Sequence, residues 1–435
     1  MNQTVPGAFS GLGRKHALVL GISYLGWVFD IMDMFLLVLV KDSAMRDLLG
    51  PAASGESVKE YAAYAVSLTL VGWSLGGLIF GVITDKWGRT RTMALTIVIY
   101  SVFTGLCGFA QTAQQLLILR FIAALGIGGE WAAGASIIAE VFPARSRAWG
   151  AGILQSASAI GFMAAIVLER AVGGSQNWRH AFIAGAIPAV LAVLVRMGMS
   201  EPEAWVAAKS KAAEKAGALR ELFSDPELRR RMLAATGLAL FGIAAYWCTN
   251  FEANNSLVNL LKGKGLNPSS AEFKNLKTQG LLIMTVGNLA GFIGYIPIAE
   301  KTGRKWAFAI FHLGSLISMP IAFLYSSDYY TWLALFFIAG AFTSGIYTGY
   351  TITFPELFPT RVRATGAGFC YNVSRVVAAK GPPVMAQVQA FLIGSYAVSD
   401  ARAVALAGAL MAGLYFCAAL FIPMLPETRG IQLEA

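Results

Sequence analysis

Charge is scarce in this chain: only 13% of its 435 residues are Asp, Glu, Lys or Arg, while 56% are hydrophobic, and mean hydropathy is +0.60. That balance excludes an ordinary water-soluble domain of this length and places the chain in a bilayer. Histidine is scarcer still. His16, His180 and His312 are scattered, no nucleophile constellation accompanies them, and no ligand set for a metal is visible, so neither an enzyme nor a metal site is expected. The four cysteines, Cys107, Cys248, Cys370 and Cys417, all fall inside apolar runs, which excludes a disulfide framework. A phosphate-cradling loop ending in Gly-Lys-Ser/Thr is missing, so ATP is not the direct energy source and no cofactor is implied. Gly126, Gly128 and Gly129 follow no strand and read as small residues that let helices approach closely. A cleavable leader is not expected either: the run from Ala17 to Val40 behind Arg14 and Lys15 is too long and holds two aspartates, so it reads as a retained first helix. The formal charge of +10 does not point to nucleic acid, because Lys and Arg sit in the gaps between apolar runs.

What the chain has in abundance is apolar stretches of spanning length, about 20 residues each. Twelve are predicted, from about 17–40 to about 402–425. They group as an N-terminal set of six in 1–199, a polar linker over 200–231 and a C-terminal set of six in 232–435. With both termini inside, 21 of the 34 Lys and Arg residues lie in inner segments and ten in outer loops, which predicts a cytoplasmic N-terminus. The linker, rich in Ala, Lys and Glu, reads as a solvated connection or a surface helix touching anionic lipid.

The two sets echo each other. A charged, glycine-bearing turn, Gly81 to Arg91 with Asp85, Gly88 and Arg89, returns as Glu300, Gly303 and Arg304 at an offset of 215. A second stretch, Glu140 to Gly152 with Pro143, Arg145 and Arg147, returns as Glu356 to Gly368 with Pro359, Arg361 and Arg363 at an offset of 216. Two independent echoes near half the chain length mean a duplicated architecture.

These turns resemble the loops between helices two and three, and eight and nine, of the major facilitator superfamily. Pro202 to Trp205 and Leu425 to Gly430 resemble the endings of its sugar-porter-like members. Three further stretches, Leu25 to Asp33, Arg120 to Glu130 and Gly368 to Asn372, are similar to the sialate:proton symporters and, less closely, to the aromatic acid:proton symporters. Ile31 stands where those families usually place Gly between the aspartates. The resemblance implies an all-α membrane protein of twelve helices in two six-helix bundles. It implies a monomer of the bacterial inner membrane with cytoplasmic termini, and proton-coupled symport of a small organic anion by alternating access. A facilitated or exchange carrier for a sugar or organic cation remains the alternative.

Ionisable side chains inside a span are costly and face a cavity or a partner. Asp30 and Asp33, three residues apart on one helix face, and Glu130 in the fourth span are expected to exchange protons. Arg120 lies at a depth that allows a pair with Asp33. Arg375, near the middle of the eleventh span, is expected to hold a carboxylate bidentately. The duplication sets Ala159 opposite it, so this charge belongs to one half only. Tyr371, Asn372, Gln155, Asn250, Asn288 and Tyr347 supply polar groups at a similar level, with Arg120 as a second cation for substrate. Ser158, Asn254, Tyr24, Trp27, Trp73 and Trp247 are further wall residues. Asp85, Arg89, Glu140 and Arg145, with Glu300, Arg304, Glu356 and Arg361, are expected to latch the inner side; the plainer reading is topology signals and lipid contacts. Lys380 before Gly381 marks a break in the eleventh span.

Overall fold

Long apolar runs punctuated by Ser, Thr and Gly fold as capped helices. In the computed structural model, which describes residues 12–172, 177–196, 200–212 and 219–433, the first half forms α1 Arg14–Leu49, α2 Gly55–Trp87, α3 Arg89–Cys107, α4 Ala113–Val141, α5 Ala144–Ala171 and α6 Trp178–Arg196. Two short helices follow, α7 Glu203–Ala212 and α8 Leu219–Ser224. The second half forms α9 Pro226–Gly263, α10 Ala271–Thr302, α11 Arg304–Tyr325, α12 Tyr329–Glu356, α13 Arg363–Ala378, α14 Gly381–Tyr396, α15 Asp400–Met411 and α16 Leu414–Ala419. Side-chain oxygens of Ser54, Thr112, Ser270 and Ser399 accept the free N–H groups that open α2, α4, α10 and α15.

Eleven of the spans among the described residues are long and apolar enough to cross a membrane, counting α13 with α14 as one and α15 with its continuation as another. The sixth predicted span corresponds to α6, whose last predicted residues, 197–199, lie outside the described ones. Large apolar side chains such as Phe109, Ile118, Val167 and Trp306 are exposed, as a lipid-facing surface requires. The chain is a multi-pass integral membrane protein. The break expected at Lys380 is present: α13 stops at Ala378 and α14 restarts at Gly381 with proline in its first turn. The last span is interrupted as well, by Ala412 and Gly413, and ends in a 3-10 turn over Ile422–Met424.

The helices divide into two units. Unit 1 gathers Met1–Arg229, Thr351–Asn372 and Gly430–Ala435; unit 2 gathers Arg230–Tyr350 and Val373–Arg429. The end of α12 and the start of α13 therefore belong with the first half of the sequence. In unit 1, α2 and α4 meet through glycine: a β carbon on Gly72 or Gly76 would stand 2.6 or 2.0 Å from the carbonyl oxygens of Phe121 and Leu125. Gly128 answers from α4, with Trp73 O at 2.0 Å. In unit 2, Gly287 and Gly291 of α10 meet the carbonyls of Phe337 and Ala341 at 2.3 and 1.9 Å. These contacts repeat at the offsets of 215 and 216 that relate the sequence motifs, so the duplication extends to backbone packing. The four cysteines are free.

Candidate functional site

Unit 1 buries most of the ionisable residues picked out from sequence. Asp33 of α1 meets Arg120 of α4, whose Nη1 donates to both carboxylate oxygens at 3.1 and 3.0 Å. Thr104 Oγ1 of α3 donates to the same carboxylate at 2.9 Å, and the guanidinium lies over the Phe182 ring at 5.5 Å. The pair is fully buried, where an ion pair holds only if its geometry and hydrogen bonds compensate lost hydration. Asp30, one turn away, is also fully buried and lies beside the hydroxyl of Tyr100 on α3. Glu130 is buried on α4, with Thr96 Oγ1 3.5 Å from its Oε2. The three acids thus surround one face of α3, a helix from which sequence reading took only Arg89 at its start. The signal was there in the spacing: Thr96, Tyr100 and Thr104 fall four residues apart, one above another.

Beside Glu130 a cavity of about 10 Å³ is lined by Ser23, Trp27, Met93, Trp131, Gly134 and Leu154. That is room for about one water. Next to it, α4, α5, the end of α12 and α13 share a polar seam. Gln155 Oε1 accepts from Thr351 Oγ1 at 2.8 Å and from Trp131 Nε1 at 3.4 Å, while Gln155 Nε2 and Trp27 Nε1 donate to Ser158 Oγ at 3.1 and 2.8 Å. Tyr371 stacks on Trp131 with ring centres 3.9 Å apart and planes 13° from parallel. Asn372 donates to Gly368 O at 2.8 Å and occupies space left by Gly77. Of the residues named for substrate contact, Arg120, Gln155, Tyr371 and Asn372 thus lie in unit 1. Trp131 and Thr351 join them unforeseen. Trp73 stands 6.4 Å from Trp27, ring to ring.

Unit 2 holds Arg375, Asn250, Asn288 and Tyr347. Arg375 is buried on α13, one residue beyond Ser374, whose hydroxyl lies 3.4 Å from Thr236 O. Asn250 Nδ2 donates to Tyr246 O at 2.9 Å. Tyr347 packs edge-on against Tyr246 at 4.7 Å and lies 5.7 Å from Tyr350. Asn288 Oδ1 is buried and abuts Gly340. A carboxylate that sequence reading missed, Glu252 of α9, is fully buried here and accepts from Asn255 Nδ2 at 3.3 Å.

The charged turns form two related constructions. Gly88, at φ 129°, and Gly303, at φ 93°, adopt a backbone conformation that other residues rarely take. A β carbon would also stand 2.4 Å from Glu201 Oε1 at Gly88 and 2.7 Å from Glu427 Oε2 at Gly303. Glu201 accepts the N–H groups of Arg89, Thr90 and Arg91 at 2.7, 3.2 and 3.1 Å, and Glu427 those of Arg304 and Lys305 at 2.9 and 3.2 Å. A carboxylate thus closes the N-terminus of α3 and of α11, where the helix dipole favours it. Burial opposes ionisation of Glu427, but N–H donors from Arg304, Arg429 and Lys305 and the nearby Arg304 charge outweigh it and hold its carboxyl below the ordinary value of 4.5. Its contribution to stability is accordingly present above that value and fades as the pH falls through the lowered one. Both glutamates adjoin a proline just after a half's last span, the signal that would have located them.

Asp85 caps a third helix. Its oxygens accept from Ala364 N, Thr365 N and Thr365 Oγ1 of α13 at 3.2, 2.7 and 2.7 Å, and it pairs with Arg89 Nη2 at 3.1 Å. Arg89 and Arg363 both bind Glu140 Oε1, at 2.7 and 2.8 Å, and Arg89 also donates to Thr360 O at 2.7 Å. Among the other turn residues, Glu140 takes Arg89 and Arg363 while Arg145 is exposed, Glu356 takes Arg147 at 3.5 Å, and Arg361 takes Glu221 of the linker at 2.6 Å. Glu300 pairs with Arg304 at 2.8 Å within its own turn. The linker docks in unit 1 through Trp205, whose Nε1 donates to Asp85 O at 2.9 Å, and through buried Leu222.

The sequence profile of the Major Facilitator Superfamily matches residues 23–298. The cis,cis-muconate transport protein of Acinetobacter baylyi is 31% identical over 327 residues, which is 73% of this chain and 75% of that one. The sialic acid transporter NanX of Escherichia coli is 28% identical over 354 residues, 81% of this chain and 82% of its own. Among solved structures, the proton:xylose symporter XylE bound to 6-bromo-6-deoxy-D-glucose superposes with a TM-score of 0.74 at 19% identity, covering 96% of this chain and 97% of that one. The fold is that of these transporters.

Proposed function

Since this chain belongs to the Major Facilitator Superfamily, a family of transporters and not of enzymes, we propose that it is a secondary active symporter that carries a small organic anion with protons by alternating access. One observation carries the coupling: three buried carboxylates, Asp30, Asp33 and Glu130, gather with a single guanidinium, Arg120, in unit 1. Acids so crowded and so little hydrated exchange protons with whatever reaches them. Arg375 in unit 2 and the relatives named for muconate and sialic acid support an anion as the cargo. In this reading Arg375 of unit 2 takes the substrate carboxylate, and Asn250, Asn288 and Tyr347 of the same unit grade its shape.

Purified protein in liposomes with an inward proton gradient should accumulate labelled muconate, sialate, a sugar acid or benzoate, and collapse of the gradient should stop accumulation. Uptake indifferent to the gradient would remove the symport. Neutral sugars competing as well as acids would move the reading to the sugar or cation carrier.

Asp85, Arg89, Glu140 and Arg363 act as the latch, tying the N-terminus of α13 to α2, α3 and α4. Asp85→Asn leaves the two guanidinium groups with one carboxylate and a cap of reduced charge, a loss of about 1.5–3 kcal/mol. Uptake should fall at least tenfold at unchanged membrane abundance, and full uptake would show that the turn only orients the chain.

A further inference from the structure

Glu252 of α9 stands in unit 2, apart from the acids of unit 1, and is 0% exposed. Its Oε2 accepts one bond, from Asn255 Nδ2 at 3.3 Å, and its Oε1 has no hydrogen-bond partner. The surroundings are apolar. Cys248, one turn earlier on the same face, packs with Met385, Leu392, Ala403 and Ala407, and its Sγ stands 3.0 Å from a β carbon placed on Gly381. Asp33 in unit 1 shows what an ionised carboxylate receives in such a place: Arg120 at 3.0 and 3.1 Å and Thr104 at 2.9 Å. Donors draw in to about 2.7–2.9 Å on a charged acceptor. Glu252 has one donor, and that one is long. A carboxylate shut away from water with no cation to pair it takes up a proton.

We propose that Glu252 carries a second coupled proton, on Oε1, so that unit 2 takes part in coupling alongside the acids of unit 1. This rests on the symport reading and adds a proton to its balance. In the step, an O–H bond forms at Oε1 as one breaks in the water that delivers the proton, and release reverses it. Asn254, Asn255 and Ser256, half-buried just beyond Glu252, are the polar step by which water reaches it. Among the described residues no ion pair joins Glu252 to a basic group of the helices around it. On α10, which meets α9 where Gly280 faces Leu257, Lys277 is half-buried. His312 of α11 meets α9 at Gly242, about 15 Å of helix before Glu252, and Arg375 of α13 follows Ser374 at the level of Thr236, about 24 Å before it. Lys380, Asp400 and Arg402 are exposed, Gln389 of α14 is a neutral neighbour, and Tyr415 of α16 is turned to Thr249 at 3.5 Å.

The test counts protons. Liposomes holding wild-type protein or Glu252→Gln, with the membrane potential clamped at zero, are loaded with benzoate or muconate under an inward pH gradient while a pH dye inside reports proton entry. Gln keeps the shape of the protonated acid and cannot release a proton. The proton-to-substrate ratio should fall by one in Glu252→Gln, and steady-state accumulation should fall roughly tenfold for each pH unit of gradient. Glu252→Met, equally neutral, should give the same lower ratio and serves if Gln does not fold. Infrared spectra of wild-type protein at neutral pH should show a protonated carboxyl band that both variants lack. A ratio unchanged by the substitutions overturns the proposal, and so does a wild-type spectrum without that band. Loss of substrate binding in both variants would make Glu252 a packing residue and overturns it as well. Failure of the symport reading looks different, because wild-type protein itself would then move no protons with substrate.

Discussion

Arg120→Ala destabilises the protein by about 3–5 kcal/mol, because it strands the buried Asp33 carboxylate with Thr104 as its remaining donor. Driven uptake is lost with it. Removing the charge from both members, in Asp33→Asn with Arg120→Gln, recovers most of the stability because neither group is then left as an uncompensated ion. It does not recover uptake. Melting of detergent-solubilised protein, followed by intrinsic fluorescence across the cycle, checks the first part. A double variant no more stable than Arg120→Ala would mean that packing against Phe182, and not the charge, is what Arg120 supplies.

Arg375→Ala weakens binding of the carboxylate substrate by about 2–3 kcal/mol, roughly 30- to 150-fold, since a charge-assisted bond to a buried guanidinium is lost. Arg375→Lys keeps the charge but not the planar fork and gives up about tenfold. Binding measured by calorimetry or by competition against a labelled acid distinguishes the two. Equal losses in both variants would show that the fork is not what the anion meets, and no loss in either would remove Arg375 from the site. Neutral analogues should be indifferent to both changes.

How much of this was readable from the residues alone follows from what each kind of signal depends on. Span length and the doubled charged turn depend on local composition and on self-similarity, so the helices, the break at Lys380 and the repeat offset were all visible. The pairing of Asp33 with Arg120 followed from depth, which helical rise converts directly from residue count. Partner choice at the turns did not follow. Glu140 has Arg145 nearby in sequence yet binds Arg89 and Arg363, because α5 carries Arg145 outward while the start of α13 brings Arg363 in. Tyr100 and Glu252 were passed over for a related reason. A tyrosine in an apolar span looks like lipid-facing bulk, and a glutamate near a predicted helix end looks solvated until α9 proves to run on to Gly263.

The arrangement of Asp85, Arg89, Glu140 and Arg363 has a consequence for the medium around the protein. Two anions and two cations, all shielded from solvent, sum to zero and project almost no field beyond their own contacts. Dissolved salt screens charges it can surround, over about 8 Å at physiological strength, and it cannot surround these. This buried cluster is therefore deaf to ionic strength. Any salt dependence of the transport cycle has to enter through exposed groups such as Lys15 and Glu203, leaving the hub of the charged turn to respond only to movement of the helices that build it.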